Sequence, residues 1–217
     1  MQAEACFEAY LKQSKNMELL VANLQIHSAK ETLGELDYIA RNRKTEEIVH
    51  IELACKFYLY DETAGNVAEQ KWIGPNRKDS LYDKLEKIKL KQFPLLYYPE
   101  TVQKLAAIEI PIPTSQKVCL KAFLFLPKNM NMESFPAHIK ECVVGHYLKP
   151  TALENDEAAQ YAIPTKKQWL LPIETITDWY SFPKIKQLID EQLKMNKSPL
   201  IYKKTPQKLE RFFIVWW

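Results

Sequence analysis

Glycine is scarce, with four residues in 217, so neither a G-x-G-x-x-G turn nor a P-loop can be built and nucleotide-binding enzymes of those types are excluded. Cysteine is equally sparse. Cys6, Cys55, Cys119 and Cys142 are widely separated, with no C-x-x-C pair and no dense disulfide framework, a pattern expected of reduced thiols in the cytoplasm. No run approaches the ~20 apolar residues of a membrane span, and the opening MQAEACFEAYLKQSK lacks a basic stretch followed by an apolar one. Neither secretion nor membrane insertion is therefore expected. A strong charge of either sign is also missing: the net charge of +3 and pI near 8.5 permit nucleic-acid binding without arguing for it.

The chain is long enough, and at 47% hydrophobic apolar enough, to bury a full core unaided. Ala3, Phe7, Tyr10 and Leu11 recur at helical spacing and predict a short amphipathic helix over 3–13. Residues 18–28, 32–41 and 46–60 read as three β-rich strands with short polar connections, which favours an antiparallel meander. After a loop containing WIGPN, Leu81, Leu85 and Ile88 share one face of a helix predicted over 79–92, capped by Asp79 or Ser80. A Pro-rich connection leads to a strand over 117–127. Beyond it come shorter pieces at 142–148, 168–172, 184–195, 199–204 and 211–217. This predicts an α/β (α+β) chain with a core over 1–128 and a small C-terminal α/β extension over 129–217.

The chemistry concentrates in GELDYIARNRKTEEIVHIELACKFYLY, residues 34–60. Strand alternation puts Glu35 and Asp37 on one face of the second strand, and Glu52, Ala54 and Lys56 on one face of the third. If these strands pair as a hairpin, the carboxylates converge. Two carboxylates that close repel unless a hard divalent cation such as Mg²⁺ or Mn²⁺ neutralises them. Such a cation polarises a phosphate and activates water, and a neighbouring lysine, here Lys56, would orient that water or stabilise developing charge. The bland alternative is a solvated sheet face. The apolar Leu36, Ile39, Val49, Ile51 and Leu53 around the charges favour a cleft instead. Gln92 continues the Leu81, Leu85, Ile88 series and should point inward, where it needs a partner. Lys84, Lys87 and Lys91 fall on the flank of that helix and could contact a phosphate backbone, although a solvated basic face is the commoner use of such lysines.

GELDYIA followed by HIELACK resembles the PD-(D/E)XK nucleases, the restriction-endonuclease-like superfamily, over the first ~130 residues in element order. More closely, LGELDYIARN, ELACKFYLY, WIGPNRKDSLYDKL and QFPLL resemble DUF1853, an uncharacterised bacterial family of unknown function assigned to that superfamily. The resemblance implies a restriction-endonuclease-like core of helix, three-strand meander, helix and strand. It also implies a divalent-metal-dependent nuclease acting on DNA, or less commonly RNA. Asp37, Glu52 and the main-chain carbonyl of Leu53 would hold Mg²⁺ or Mn²⁺, and Glu8 on the first helix would complete the site. Gln92 and Tyr97 loosely match a Gln/Tyr signature that some members carry downstream. One departure stands out: two residues after Glu52 comes Ala54, and the lysine follows at Lys56, about 7 Å further along the strand. That displacement favours the alternative, a non-catalytic nucleic-acid- or protein-binding scaffold.

Other signals carry less. His138, Cys142 and His146 have the spacing of metal ligands on a helix, but CVVGHYL reads as a strand, so packing is expected of them. Trp169, Trp179, Tyr180, Trp216 and Trp217 could stack bases, though core or partner contact is the commoner use. If RFFIVWW at 211–217 is not paired into a sheet it needs a partner to cover it, which leaves homodimerisation open.

Overall fold

The computed structural model describes residues 2–217 and has a mixed α/β architecture. Helix α1 (Gln2–Gln13) precedes strands β1 (Met17–His27), β2 (Thr32–Asn42) and β3 (Ile48–Tyr60), then a two-residue strand β4 (Trp72–Ile73). Next come α2 (Leu81–Lys87), a π-helical turn over Ile88–Gln92, α3 (Phe93–Leu95), α4 (Pro99–Ala107) and β5 (Ser115–Pro127). The chain closes with α5 (Ala137–Lys140), β6 (Val143–Leu148), β7 (Gln160–Ala162), α6 (Phe182–Lys194), β8 (Leu200–Lys204) and β9 (Leu209–Ile214). These elements form two compact units. The first comprises the chain up to Cys55 together with Asp83–Lys121, the second Lys56–Tyr82 and Ala122–Trp217, so that β3 and β5 each run through both.

In the first unit β1, β2 and β3 form the expected antiparallel meander, with β5 next to β3. Alternation gives its two faces different partners. Tyr38, Ala40, Val49 and Ile51 pack with Leu11 of α1, and the Tyr38 hydroxyl donates to the Glu4 carbonyl at 2.9 Å. Ile39 and Ile48 instead pack with Leu95 of α3, Leu96 just after it and Leu105 of α4.

The helix expected over 79–92 does not run as one α-helix. Pro94 cannot donate to the Leu90 carbonyl and its ring crowds it. The turn before it widens accordingly, and the Phe93 N–H reaches back five residues to the Ile88 carbonyl. Helix α4, inside what the sequence shows only as a proline-rich connection, starts at Pro99, where a missing N–H costs nothing, after an extended Tyr98.

In the second unit β5, β6 and β9 are parallel, β9, β8 and β7 antiparallel, and β4 pairs the end of β3. The strand expected at 142–148 forms as β6, and the ring of His146 stacks flat on Phe212, 5.2 Å between centroids. The C-terminal run is not a sticky tail. Phe212, Phe213, Ile214 and Val215 are buried, and the Trp217 indole N–H donates to the Pro75 carbonyl at 3.1 Å, so the need for a covering partner disappears. No helix among the described residues is long and apolar enough to cross a membrane.

Gly145 makes the β5, β6, β9 packing possible. A Cβ there would run into the Arg211 carbonyl and stand 2.8 Å from the Phe125 ring, one contact being backbone and the other a fully buried ring. Gly145→Ala should therefore destabilise by about 2 kcal/mol. Calorimetry would read this as a melting temperature lower by roughly 6 °C, and an unchanged value would contradict the packing described.

Candidate functional site

The β2–β3 ladder pairs Arg41 with Ile48, Ala40 with Val49, Ile39 with His50 and Tyr38 with Ile51, and there it ends. Extending that register by one step sets Asp37 opposite Glu52. In place of a further ladder bond, the Leu53 N–H donates to Asp37 Oδ2 at 2.8 Å. The two carboxylates thus meet where the strands part, on the face that also carries Ile39 and His50.

Their environments differ. Glu52 is fully buried, and both of its oxygens receive donors: His50 Nε2 lies 2.9 Å from Oε1, and the Gln92 amide nitrogen donates to Oε2. Behind these, Lys84 Nζ donates to Gln92 Oε1 at 2.9 Å, and Gln116 Nε2 lies 3.0 Å from His50 Nδ1 and 2.9 Å from the Phe93 carbonyl. Asp37 is half-buried. Burial first, and then the negative charge of Glu52, raise its pKa from 3.8 to about 6; the Leu53 N–H and the charge of Lys84 oppose the rise.

The structure brings Asp37, Glu52, Gln92 and Lys84 together, along with the backbone of Leu53 through its N–H. Gln92 points inward, as expected, onto Glu52. Lys84 does not lie on an exposed basic flank with Lys87 and Lys91: those two are exposed, whereas Lys84 is half-buried on the carboxylate network. The π turn accounts for the difference, since the widened turn rotates Gln92 back toward the side of Lys84. Lys56 lies in the second unit, where its ammonium pairs with Asp79 at 2.8 Å. Glu8 pairs with Lys12 one turn on, and α1 packs through Phe7 and Leu11 on the Tyr38, Ala40, Val49 and Ile51 face, opposite in parity to the carboxylates. Among the described residues no group of three or more His, Cys, Asp or Glu side chains is arranged to hold a metal ion.

His50 and Gln116 are the participants that sequence reasoning missed. For His50 a signal existed: it stands two residues before Glu52, on the same strand face, inside the apolar run IVHIEL. Gln116 offered none, because its place depends on how β5 returns to the sheet.

The donor set fits a small divalent cation. Two hard carboxylates, one of them carrying the electrostatic cost of the other in spite of the Lys84 charge, are ligands of the type such an ion takes, and an ion that retains several waters needs only one or two carboxylates from the protein. The model of a family described as a domain of unknown function, DUF1853, matches residues 1–215. No curated protein and no solved structure matches the chain.

The elevated Asp37 pKa makes stability depend on pH. Because the folded value, about 6, exceeds 3.8, the stability contributed by the neutral acid is whole below 3.8 and is lost as pH rises through about 6. Asn at this position keeps an acceptor for the Leu53 N–H and cannot ionise. With a chelator present, Asp37→Asn should melt like the wild type near pH 3.5. At pH 8 it should melt higher by roughly 3 °C, or about 1 kcal/mol once partial exposure is discounted. A variant that melts lower at pH 8 would refute the electrostatic account.

Proposed function

We propose that this chain, which belongs to the DUF1853 family, is a divalent-metal-dependent nuclease that hydrolyses phosphodiester bonds in DNA, or less commonly RNA, on a restriction-endonuclease-like core. The observation that carries the reading is the Asp37–Glu52 pair at the parting of β2 and β3, under-neutralised and backed by donors. Supporting it is the resemblance of GELDYIA and HIELACK to the PD-(D/E)XK motif.

Asp37 and Glu52 would hold Mg²⁺ or Mn²⁺, with the Leu53 carbonyl as the further ligand that the resemblance implies. The bound ion supplies Lewis acidity toward a phosphate oxygen and toward the attacking water. Gln92 holds Glu52 in place and ties it to Lys84. Lys84, whose charge already acts at Asp37, is the cation suited to orient water or offset charge on the phosphate, the role the sequence suggested for Lys56. Lys87 and Lys91, exposed on the same helical segment, would meet backbone phosphates.

A second reading, a non-catalytic nucleic-acid- or protein-binding scaffold, is favoured by one observation: Lys56 is engaged by Asp79. Plasmid, linear duplex, single-stranded and branched DNA incubated with the purified protein and Mg²⁺ or Mn²⁺ separate the two. Cleavage that disappears in the Asp37→Ala, Glu52→Ala double variant is expected, with Lys84→Ala losing on the order of 100-fold in rate and Lys56→Ala losing less. No cleavage on any substrate, together with no rise in melting temperature in Mn²⁺, would leave the scaffold reading standing.

A further inference from the structure

Behind the Glu52 carboxylate lie two groups to which that chemistry assigns nothing, His50 and Gln116. His50 is fully buried and its ring meets the Phe93 ring edge-on, 6.0 Å between centroids. The direction of each hydrogen bond follows from what its partner can do. A carbonyl only accepts, so the Gln116 group 2.9 Å from the Phe93 oxygen is its amide nitrogen. The second hydrogen of that nitrogen is then free for His50 Nδ1 at 3.0 Å, which must offer a lone pair. The imidazole proton accordingly sits on Nε2 and is donated to Glu52 Oε1 at 2.9 Å. On the other side a lysine ammonium only donates, so Gln92 turns its oxygen to Lys84 and its nitrogen to Glu52 Oε2. From both sides the donors are aimed at Glu52, one on each oxygen, and each oxygen keeps a second lone pair.

We propose that His50 and Gln116 are positioning residues, a donor relay from β5 through β3 that fixes the orientation of the Glu52 carboxylate for a divalent cation shared with Asp37. The role rests on the metal-site reading above. It resembles the way histidine and carboxylate ligands in metal sites generally depend on groups behind them, whose loss costs about 10- to 100-fold in metal affinity. A merely structural His50 would matter for folding and leave metal affinity alone.

The test uses the full chain and Mn²⁺ alone, with bound metal followed by electron paramagnetic resonance and by calorimetric titration. His50→Leu should weaken Mn²⁺ binding at least about tenfold. His50→Gln, whose amide nitrogen can stand near the position of Nε2, should stay within about threefold of wild type, and Gln116→Leu should fall between them. Nitrogen-15 spectra of the wild-type histidines should show the Nε2–H tautomer at His50, a readout that needs neither metal nor variant. Folded His50→Leu and Gln116→Leu proteins that bind Mn²⁺ as tightly as wild type would overturn the relay, as would the Nδ1–H tautomer. Failure of the wild type itself to bind Mn²⁺ would overturn the metal-site reading and the relay with it.

Discussion

A carboxylate with no exposure to water is the constraint around which the first unit is organised. Placing Glu52 in the interior costs several kcal/mol unless donors replace the water it loses. The donors come from separate places in the chain: His50 from the same strand, Gln92 from the π turn, with Lys84 of α2 and Gln116 of β5 supporting them. Those elements can satisfy Glu52 only if the helical segment lies over the β3 face and β5 returns beside it. Ile39, Ile48, Leu95, Leu96 and Leu105 form the apolar cluster of that same region. The polar network and the hydrophobic cluster therefore demand the same arrangement, and a change to either disturbs the other.

The meander was legible because its signals are local. Period-2 alternation and β-branched runs placed β1, β2 and β3 within a residue or two, and parity alone put Asp37 and Glu52 on candidate faces. The lysine was not legible in the same way. Reading an unbroken 3.6-residue repeat through 79–92 sends Lys84 outward with Lys87 and Lys91. Pro94 lies just beyond that window, and its effect on the preceding turn is what changes the phase. Helix α4 was hidden for a related reason: Pro99 and the prolines at 111 and 113 look like breakers, although the first of them opens a helix.

The second unit shows how the sequence's other polar and aromatic signals are used. Lys56 is held by Asp79, and of the aromatics that suggested base stacking all but the exposed Trp216 are partly buried against the core. Trp169 packs against Phe57 and Phe213, and the Trp179 indole donates to the Ile176 carbonyl. Arg77 stacks over Trp217 while pairing with Asp61, so even the last residue is tied in. In a chain with few glycines and no disulfides, large rings with polar tips supply both packing area and directed hydrogen bonds.

Charge balance around the pair explains why Asp37 is the side chain left adjustable. Every donor touching Glu52 is a neutral amide or imidazole, and the one cation of the network, Lys84, reaches it through the Gln92 amide. Asp37 accepts the Leu53 N–H and bears the repulsion of Glu52, with the Glu35 charge adding to it. One more positive charge at this spot relieves that repulsion. A proton can supply it, which is what a pKa near 6 expresses, and on the reading proposed above a divalent cation supplies it instead. On that reading proton and cation compete for the same spot, which is set by ending a β-ladder one residue short and turning the freed N–H onto a side chain.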